Sequence, residues 1–411
     1  MSKQLLRQAL NGHQPSPMWR AHALKEQYDV VIIGGGAHGL ACAYYLAREH
    51  GITDVAVLEK SYIGSGGSGR NTTIIRSNYL TPEGVRFYDE SVKLYEQMSA
   101  EFDFNVMFSQ RGHLTLAHTD GALRTMRRRA QVNQLQGVDS RVISPAEIHK
   151  LCPMLDVSEH PRYPILGALY HPPGGIIRHD AVVWGYAHQA YRRGVHIHQK
   201  TAATGIVVRN GRITAVETTR GLIKTATVLN ATAGWCSTIA AMAGVNLPVT
   251  TFPLQACVTE SLKPFLDVII VSGSLHVYVS QSDRGELVMG AAVDPFASYS
   301  TAGSLGFVEN VAGHMLELFP ALHHVRVLRQ WAGLCDMTPD FSPIMGFTPV
   351  EGFLVDVGWG TYGFKASPIS GKMMAELIAT GRTPHLIYPF RLSRFAEHDL
   401  VGEKGAASVG H

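Results

Sequence analysis

The stretch YDVVIIGGGAHGLACAYYLAREHGITDVAVLEK, residues 28–60, decides the fold. It opens with a continuous apolar run, which is typical of a strand buried on both faces of a parallel sheet. A glycine-rich turn follows, and the next residues predict a helix that ends at Gly51. DVAVLEK then predicts a second strand. Strand, turn, helix and strand in this order indicate a βαβ unit.

The turn carries the pattern Gly34-x-Gly36-x-x-Gly39. In this pattern the first glycine permits a tight turn, the second lets a pyrophosphate approach the backbone, and the third allows close packing of helix on strand. The helix N-terminus offers free N–H groups and a positive dipole end to phosphates. Glu59, at the end of the second strand, stands where an acid accepts hydrogen bonds from ribose hydroxyls. Because a plain βαβ turn would not need Glu59, the pattern predicts a dinucleotide site.

Two later segments favour FAD over NAD as the dinucleotide. VLNATAGWCS, residues 228–237, predicts another strand, turn and helix, and GWGTYGFKAS, residues 358–367, predicts a glycine loop before a long helix. Each offers a further backbone approach to the same cofactor. A dinucleotide held by discontinuous pieces of the chain is more typical of a resident FAD than of an exchanging NAD.

The amino-acid composition limits which other functions the chain could have. The chain has 411 residues, of which 45% are hydrophobic and 17% charged, so two globular lobes are expected. Its 36 basic and 33 acidic residues are spread along the chain, which argues against nucleic acid as a partner. The histidines come without a matching set of carboxylates or thiolates, so no metal site is expected.

Cellular location is indicated by the cysteines and the N-terminus. The five cysteines are widely spaced without a CxxC pair, as in a reduced cytoplasmic protein. The N-terminus has no signal peptide features. The apolar stretch at 30–47 is broken by its glycines, so neither a membrane span nor a membrane partner is expected.

The predicted fold class is α/β, with an α+β second lobe. It comprises a Rossmann-like FAD-binding domain and a discontinuous substrate domain whose sheet is mainly antiparallel. The N-terminal tail is expected to pack on something, such as another subunit. The predicted division is 1–27 for the N-terminal tail, 28–110 with 165–250 and 336–395 for the FAD-binding domain, 111–164 with 251–335 for the substrate domain, and 396–411 for the C-terminal tail.

Several local elements can also be predicted. Residues 120–137 predict a basic amphipathic helix whose arginines form a solvated face. SPAEIHKLCP, residues 144–153, predicts a short helix with a capping box. Asn210–Gly211 predicts the turn of a β-hairpin. The last ten residues, 402–411, are expected to be a loose end.

Longer stretches carry a family resemblance. The most specific are GGGAHGLACAYYLAREHGITDVAVLEK (34–60), GRNTTIIRSNYL (69–80), FSQRGHLTLAH (108–118), RHDAVVWGYA (178–187), HVYVSQSDRGELVMGA (276–291) and GWGTYGFK (358–365). Together they resemble D-amino-acid oxidase-like FAD-dependent oxidoreductases, and within them the β subunits of heterotetrameric sarcosine oxidases. The resemblance runs from about residue 28 to the C-terminus.

The resemblance implies oxidation of a secondary amine such as sarcosine. A hydride would pass from the N-methyl carbon to FAD, and water or tetrahydrofolate would capture the imine. It also implies a larger α-type subunit, small subunits, and an FMN bound covalently through His179, which relays electrons from FAD. From the residues alone, a lone histidine before a helix, with Asp180 as N-cap, would usually be a surface residue.

A substrate carboxylate in an apolar pocket needs a cation, and arginine offers a fixed two-pronged donor. The resemblance places this role on Arg76 and a second cation on Lys365, and both have apolar neighbours in sequence. His276 and Tyr278, expected on one strand face, are the further catalytic candidates, with His113 as another polar neighbour. The expected cofactor-binding residues are Gly34, Gly36, His38, Gly39, Glu59, Lys60, Arg70, Asn71, Thr72, His179, Gly234, Gly360, Gly363 and Lys365.

Two departures from the family pattern leave alternatives open. Gly333 stands where monomeric relatives tether FAD through a cysteine, with Cys335 two residues away, so noncovalent FAD is expected. Tyr362 stands where these β subunits usually have a glycine, which leaves the substrate open. A related N-methylglutamate dehydrogenase or opine oxidase is therefore an alternative, and a flavin-binding scaffold without amine chemistry is a second one.

Overall fold

The βαβ unit lies in the middle of a six-stranded sheet. The structure is a computed structural model, and it describes residues 19–403. Val30–Ile33 pairs in parallel with Val55–Leu58 on one side and with Val228–Asn230 on the other, so the apolar run is buried by strands at both edges. With elements numbered in chain order, the strands in spatial order are β19 (Ile344–Phe347), β20 (Phe353–Val357), β13 (Val228–Asn230), β1 (Val30–Ile33), β2 (Val55–Leu58) and β9 (His196–His198).

The helices come from all parts of the chain. The α-helices of the described residues are α1 (Ala37–Glu49), α2 (Pro82–Phe102), α3 (Asp120–Leu135), α4 (Pro145–Leu151), α5 (His179–Arg192), α6 (Cys236–Met242), α7 (Leu305–Leu318), α8 (Gly363–Thr380) and α9 (Arg394–Glu397). Helices α1, α2, α5 and α8 contribute side chains to one core beside the six-stranded sheet.

The six-stranded sheet is covered on both faces. Val30 and Ile32 lie in the helical core, whereas Val31 and Ile33 lie in a second core on the opposite face, as the two-residue period of a strand requires. That second core is closed by α6 and by an antiparallel sheet. The strands of this sheet are β10 (Ala203–Arg209), β11 (Arg212–Thr218) and β12 (Gly221–Lys224).

The second lobe is built on an eight-stranded, mainly antiparallel sheet. One pair of its strands, β15 and β5, is parallel. In spatial order the strands are β18 (Val327–Met337), β14 (Thr250–Ser261), β17 (Glu286–Val293), β16 (Val277–Gln281), β15 (Ile269–Ser272), β5 (His113–Ala117), β7 (Gly167–His171) and β6 (Arg141–Ile143). One face packs on α4 and α7.

The other face of the eight-stranded sheet is turned toward a small sheet. Ile269, Val271 and Tyr278 on this face pack against Ile74 and Ile176 of the small sheet. The small sheet comprises β3 (Ile74–Ile75), β8 (Gly175–Ile176) and β4 (Ser109–Gln110). This arrangement leaves a cavity between the large sheet and the βαβ unit.

The α/β fold class with a second, mainly antiparallel lobe is confirmed. The exact domain division stays a prediction. Strand β7, which the division assigns to the FAD-binding domain, pairs with β5 and β6 in the eight-stranded sheet. The capping box at Ser144 and the hairpin turn at Asn210 are both present. Among residues 19–403, no helix is long and apolar enough to cross a membrane.

The described parts of the two tails pack on the rest of the chain. Residues 19–27 pack on their own chain, since Trp19 lies against the helical core and Lys25 pairs with Asp54 at 2.7 Å. Residues 1–18 lie outside the described residues. The C-terminal segment is not loose up to Glu403, whose carboxylate accepts hydrogen bonds from the backbone N–H groups of Leu80 and Thr81. The buried acid thereby stabilises the start of α2. Residues 404–411 lie outside the described residues.

Candidate active site

Two glycines of the nucleotide turn, Gly34 and Gly39, leave no room for a side chain. Gly34 has φ +118°, and a Cβ there would lie 2.4 Å from the carbonyl oxygen of Ala231. A Cβ on Gly39 would lie 2.1 Å from the carbonyl oxygen of Gly34, so α1 packs directly on the turn. Both glycines are therefore required by geometry, as the sequence pattern indicates.

Glu59 is held in place at the end of β2. Its side chain is 9% exposed, and its carboxylate accepts hydrogen bonds from the backbone N–H groups of Gly35 at 3.1 Å and Ser61 at 2.9 Å. These bonds fix the acid beside the phosphate-binding turn. An adenosine ribose placed there would meet a preoriented acceptor.

A cavity of about 640 Å³ runs from this turn to the first residues of α8. Most of the predicted cofactor and catalytic residues line it. The two exceptions among the cofactor residues are Gly39, which packs behind the turn, and His179. The predicted residues that line the cavity are Gly34, Gly36, His38, Glu59, Lys60, Arg70, Asn71, Thr72, Arg76, Gly234, Tyr278, Gly360, Gly363 and Lys365.

Near the turn, the cavity wall is made by the segment 66–73. Arg70 donates a hydrogen bond to the carbonyl oxygen of Gly66, and the Arg70 carbonyl oxygen accepts one from Trp331 at 2.8 Å. The Asn71 side chain accepts a hydrogen bond from the backbone N–H of Thr73. The segment is thereby tied both to itself and to strand β18.

Lys60 lies against an aromatic ring at the other side of the cavity. Its Nζ is 3.7 Å from the centroid of the Trp235 ring, which itself stacks on Tyr299. Burial lowers the pKa of Lys60. The lysine and the indole form a flat, polarisable wall of the kind on which a planar ring can stack.

His38 links the nucleotide turn to the start of α8. Its Nε2 donates to the carbonyl oxygen of Gly363 at 2.8 Å, and its Nδ1 lies 3.1 Å from a carboxylate oxygen of Asp356. Burial lowers the pKa of His38, but the charge and hydrogen bond of Asp356, the hydrogen bond to Gly363 and the charge of Asp336 together outweigh burial and leave the pKa raised. A protonated imidazole would satisfy both contacts.

Arg76 is buried in the cavity wall. The side chain is 7% exposed, its Nη1 donates to the carbonyl oxygen of Asn78 at 3.1 Å, and its guanidinium lies 4.6 Å from the centroid of the Tyr79 ring. A guanidinium packed on an aromatic face and hydrogen-bonded to Asn78 has a fixed orientation. Such a group is suited to a carboxylate ligand.

Lys365 lines the same cavity from the first turn of α8. It is 9% exposed, and its Nζ donates to the carbonyl oxygen of Thr361 at 3.4 Å. Burial, followed by repulsion from Arg76, holds the pKa of Lys365 well below its usual value. The structure thus brings together the two cations that the sequence placed almost three hundred residues apart.

Arg129 corrects the expectation that the arginines of α3 form a solvated face. It is 4% exposed, and its Nε donates to the carbonyl oxygen of Asn78 at 2.7 Å, the same oxygen that Arg76 contacts. Burial, followed by repulsion from Arg76, lowers the pKa of Arg129 to about 9. The burial of Arg129 could have been predicted from the sequence, because Arg129 lies on the same face of the helix as Met126 and Asn133.

Tyr362 is part of the cavity wall, and so is His113. Tyr362 is 4% exposed, and its hydroxyl donates to the carbonyl oxygen of Glu403 at 3.3 Å. His113 is 2% exposed, and burial followed by repulsion from Arg76 holds its pKa well below the usual value. Within the described residues its Nδ1 has no hydrogen-bond partner. A neutral imidazole therefore faces the two cations.

The expectation that His276 and Tyr278 share a strand face is corrected. Tyr278 lies in β16 and lines the cavity, and burial raises the pKa of its hydroxyl. His276 lies in the turn before β16 with φ +47°, and it lines a separate cavity of about 350 Å³ together with His314. The turn breaks the two-residue alternation, so His276 faces away from the cations.

His179 lies apart from the main cavity, at the first residue of α5. It is half-buried, and burial lowers the pKa of its imidazole. Arg178, rather than Asp180, is the N-cap residue, which corrects the expected cap. Asp180 instead pairs with Arg178 at 2.6 Å. Residues 19–403 also contain no group of three or more side chains that could hold a metal ion.

The family of the chain follows from comparison with known proteins. A sequence model described as "FAD dependent oxidoreductase" matches residues 29–377. The sarcosine oxidase subunit beta of Rhizobium meliloti is 49% identical over 402 residues, covering 98% of this chain and 96% of the relative. The sarcosine oxidase subunit beta of Rhodobacter capsulatus is 46% identical over 406 residues, covering 98% of each chain.

Solved structures give the same fold. The crystal structure of L-proline dehydrogenase from P. horikoshii has a TM-score of 0.86 at 30% identity and covers 92% of this chain and 100% of that chain. Glycine oxidase from Bacillus cereus has a TM-score of 0.78 at 25% identity and covers 90% of this chain and 99% of that chain. Since the glycine turn and Glu59 fit a dinucleotide as well, the expected FAD is confirmed. The chain therefore belongs to the FAD dependent oxidoreductase family and is an FAD-dependent amine oxidoreductase, similar over nearly its whole length to sarcosine oxidase β subunits.

Proposed function

We propose that this protein oxidises an N-methyl amino acid such as sarcosine, as the β-type subunit of a larger assembly. The observation that carries the proposal is the position of Arg76 and Lys365 in one cavity with the nucleotide turn. These two basic side chains at the end of an FAD cavity provide a site for a small carboxylate. The relatives named sarcosine oxidase subunit beta supply the substrate class.

The residues of the cavity would bind and orient the substrate. Arg76 holds the carboxylate, and the apolar side chains around Val271 and Tyr278 enclose the rest of a small amine. Because the bound amine is already oriented, much of the entropic cost of the reaction is met when the substrate binds. Bound FAD would supply the oxidant that takes a hydride from the N-methyl carbon. Water or tetrahydrofolate would then capture the imine.

We propose that FAD is held without a covalent bond. Gly333, at the family's tether position, has no side chain, and a Cβ there would be 3.4 Å from the Cβ of Arg70. Cys335 lines the cavity, but burial raises the pKa of its thiol above the usual range. A protonated thiol is a poor nucleophile, so Cys335 is unsuited to forming the tether.

We propose that an FMN is attached through His179, outside the FAD cavity. The lowered pKa of His179 leaves the imidazole neutral and therefore nucleophilic at neutral pH. A larger α-type subunit and small subunits would cover this region of the assembly. Acid precipitation tests the attachment: wild type should give a yellow pellet and His179→Ala a colourless one. Release of all flavin from both proteins would contradict it.

A related dehydrogenase for a larger N-alkyl amino acid, such as N-methylglutamate or an opine, is the second candidate. Tyr362 favours it, because its ring replaces a glycine beside Lys365 and changes the cavity wall. Steady-state rates with sarcosine and with N-methylglutamate, each with and without oxygen, separate the two. A higher rate with N-methylglutamate and no dependence on oxygen would favour the second candidate.

The experiment that tests the proposal is anaerobic reduction of the bound FAD. Sarcosine or another N-methyl amino acid should bleach the flavin absorbance of wild type. Arg76→Ala and Lys365→Met should slow the bleaching strongly, whereas Arg212→Ala, which alters a side chain 65% exposed, should not. A flavin that stays oxidised with every N-methyl amino acid would show that the chain is a flavin-binding scaffold.

A further inference from the structure

Lys365 is a buried amine that has no carboxylate partner among residues 19–403. Its Nζ lies 3.4 Å from the carbonyl oxygen of Thr361 and 5.7 Å from the centroid of the Tyr362 ring. A buried ammonium without a counter-charge is costly. The side chain is nevertheless aimed into the cavity rather than toward solvent.

Three effects disfavour the positive charge of Lys365, and a smaller influence of Cys335 opposes them. Lys365 is the third residue of α8, so its amine lies at the positive end of the helix dipole. Arg76, directly after β3, adds a full positive charge nearby. Burial adds the cost of desolvation, which is the largest of the three effects.

Cys335, Tyr362 and His113 line the cavity near Lys365, and none of the three brings a full negative charge. Burial raises the pKa of the Cys335 thiol and of the Tyr362 hydroxyl above their usual values, so both stay protonated. Burial also holds the pKa of His113 well below its usual value, so the imidazole is neutral. Before a ligand arrives, these surroundings favour the neutral form of the Lys365 amine, which has a lone pair.

The substrate amine, in contrast, carries a proton that it must lose before it can be oxidised. In neutral water an amino acid carries a carboxylate and an ammonium group, and an ammonium nitrogen has no lone pair with which to support loss of a hydride from carbon. One proton must leave the nitrogen before oxidation. At the same time, the carboxylate supplies the anion that the cavity lacks.

We propose that Lys365 accepts the ammonium proton of the substrate as the carboxylate docks against Arg76. The N–H bond of the substrate breaks, its electron pair stays on the substrate nitrogen, and the proton forms a new N–H bond on Nζ. The products are a neutral substrate amine and a lysine ammonium. No proton is exchanged with solvent, and no electron moves in this step.

The transfer completes the binding site for the substrate carboxylate, which Arg76 and Lys365 form and which is called the carboxylate clamp here. Arg76 and Lys365 are both cationic after it, so the carboxylate gains its second charged partner at the moment the amine becomes neutral. Lys365 is thus both proton acceptor and clamp, in sequence. This inference rests on the proposed function, because it takes an amino acid as the ligand.

Proton uptake on binding of methylthioacetate tests the inference without turnover. This ligand has the carboxylate but no ammonium proton, so Lys365 must take its proton from solvent. Calorimetric titration at pH 7 in buffers of different ionisation enthalpy should give an uptake of about one proton per site. Lys365→Met and Lys365→Arg should show none. Binding to wild type without proton uptake would overturn the inference.

A pH profile of anaerobic flavin bleaching gives a second readout. Arginine stays protonated, so Lys365→Arg keeps the clamp charge but cannot accept a proton. Its limiting rate should rise about tenfold per pH unit below the pKa of the bound amine, while that of wild type should be flatter. Identical profiles would overturn the inference. If Lys365→Arg fails to retain FAD, the same comparison is made with Lys365→Met.

The two experiments separate this inference from the proposed function. If wild type binds methylthioacetate with proton uptake but no N-methyl amino acid reduces its flavin, the proposed function is refuted. Lys365 is then still supported as the proton acceptor. Wild type that is reduced, but binds methylthioacetate without uptake, would refute the proton transfer alone.

Discussion

The buried ion pair between Asp340 and Arg394 should be the strongest single contact that fixes the C-terminal segment. The Arg394 side chain is fully buried, and its guanidinium donates to both carboxylate oxygens of Asp340, at 2.8 and 2.9 Å. It also donates to the carbonyl oxygens of Ser342 and Phe390, each at 2.9 Å. Val401 donates its backbone N–H to the same carboxylate.

Arg394→Met would leave the Asp340 carboxylate buried without its cation. Breaking a buried pair in this way costs about 3–5 kcal/mol. The exposed pair of Arg212 and Glu351, with side chains 65% and 64% exposed, is the matched control. Glu351→Gln should change the stability far less, because water screens an exposed pair.

Urea unfolding followed by far-UV circular dichroism measures the difference. Saturating FAD is kept in every sample, since bound ligand shifts the apparent stability. The double variant Asp340→Asn with Arg394→Met should lose less than the sum of the two single variants, because no buried charge is left uncompensated. An Arg394→Met variant as stable as Glu351→Gln would refute this reasoning.

Three further predictions follow from the nucleotide turn and from Asp336. Gly39→Ala should abolish or strongly weaken FAD binding in a titration followed by flavin fluorescence, because its Cβ would meet the Gly34 carbonyl oxygen at 2.1 Å; Gly313→Ala in α7, with no atom within 4 Å, should bind FAD as wild type does. Glu59→Gln should raise the Kd for FAD by about 10- to 100-fold, the effect of weakening one or two hydrogen bonds to a charged group; an unchanged Kd would remove Glu59 from the site. Burial raises the pKa of Asp336 to about 6 from 3.8, so the folded protein binds this proton more tightly than the unfolded chain. The free energy of unfolding should therefore fall as the pH rises from about 4 through 6, and Asp336→Asn should remove that part of the fall.

Sequence alone determined those features that depend on neighbouring residues. The glycine turn was predictable because backbone conformation and space at Gly34 and Gly39 are set within one βαβ unit. The capping box at Ser144 and the hairpin turn at Asn210 are likewise closed by hydrogen bonds over a few residues. The dinucleotide site followed from the same local pattern together with Glu59, whereas the choice of FAD needed the later segments 228–237 and 358–367.

Family resemblance extended the prediction to the clamp, but not to the environment of each side chain. His276 was assigned to the site because strand alternation was assumed, whereas a turn with positive φ rotates it into another cavity. Arg129 was assigned to solvent, yet it shares the carbonyl oxygen of Asn78 with Arg76.

Tertiary structure alone decided the electrostatics of the cavity. The charge on Lys365 depends on Arg76 and on burial by distant segments, and neither can be read from residues next to it in the chain. The position of Tyr362 likewise depends on Glu403, which the C-terminal segment carries back to the start of α2. The physical reason is common to these cases: desolvation and Coulomb interactions depend on distance in space, whereas turns and caps depend on distance along the chain.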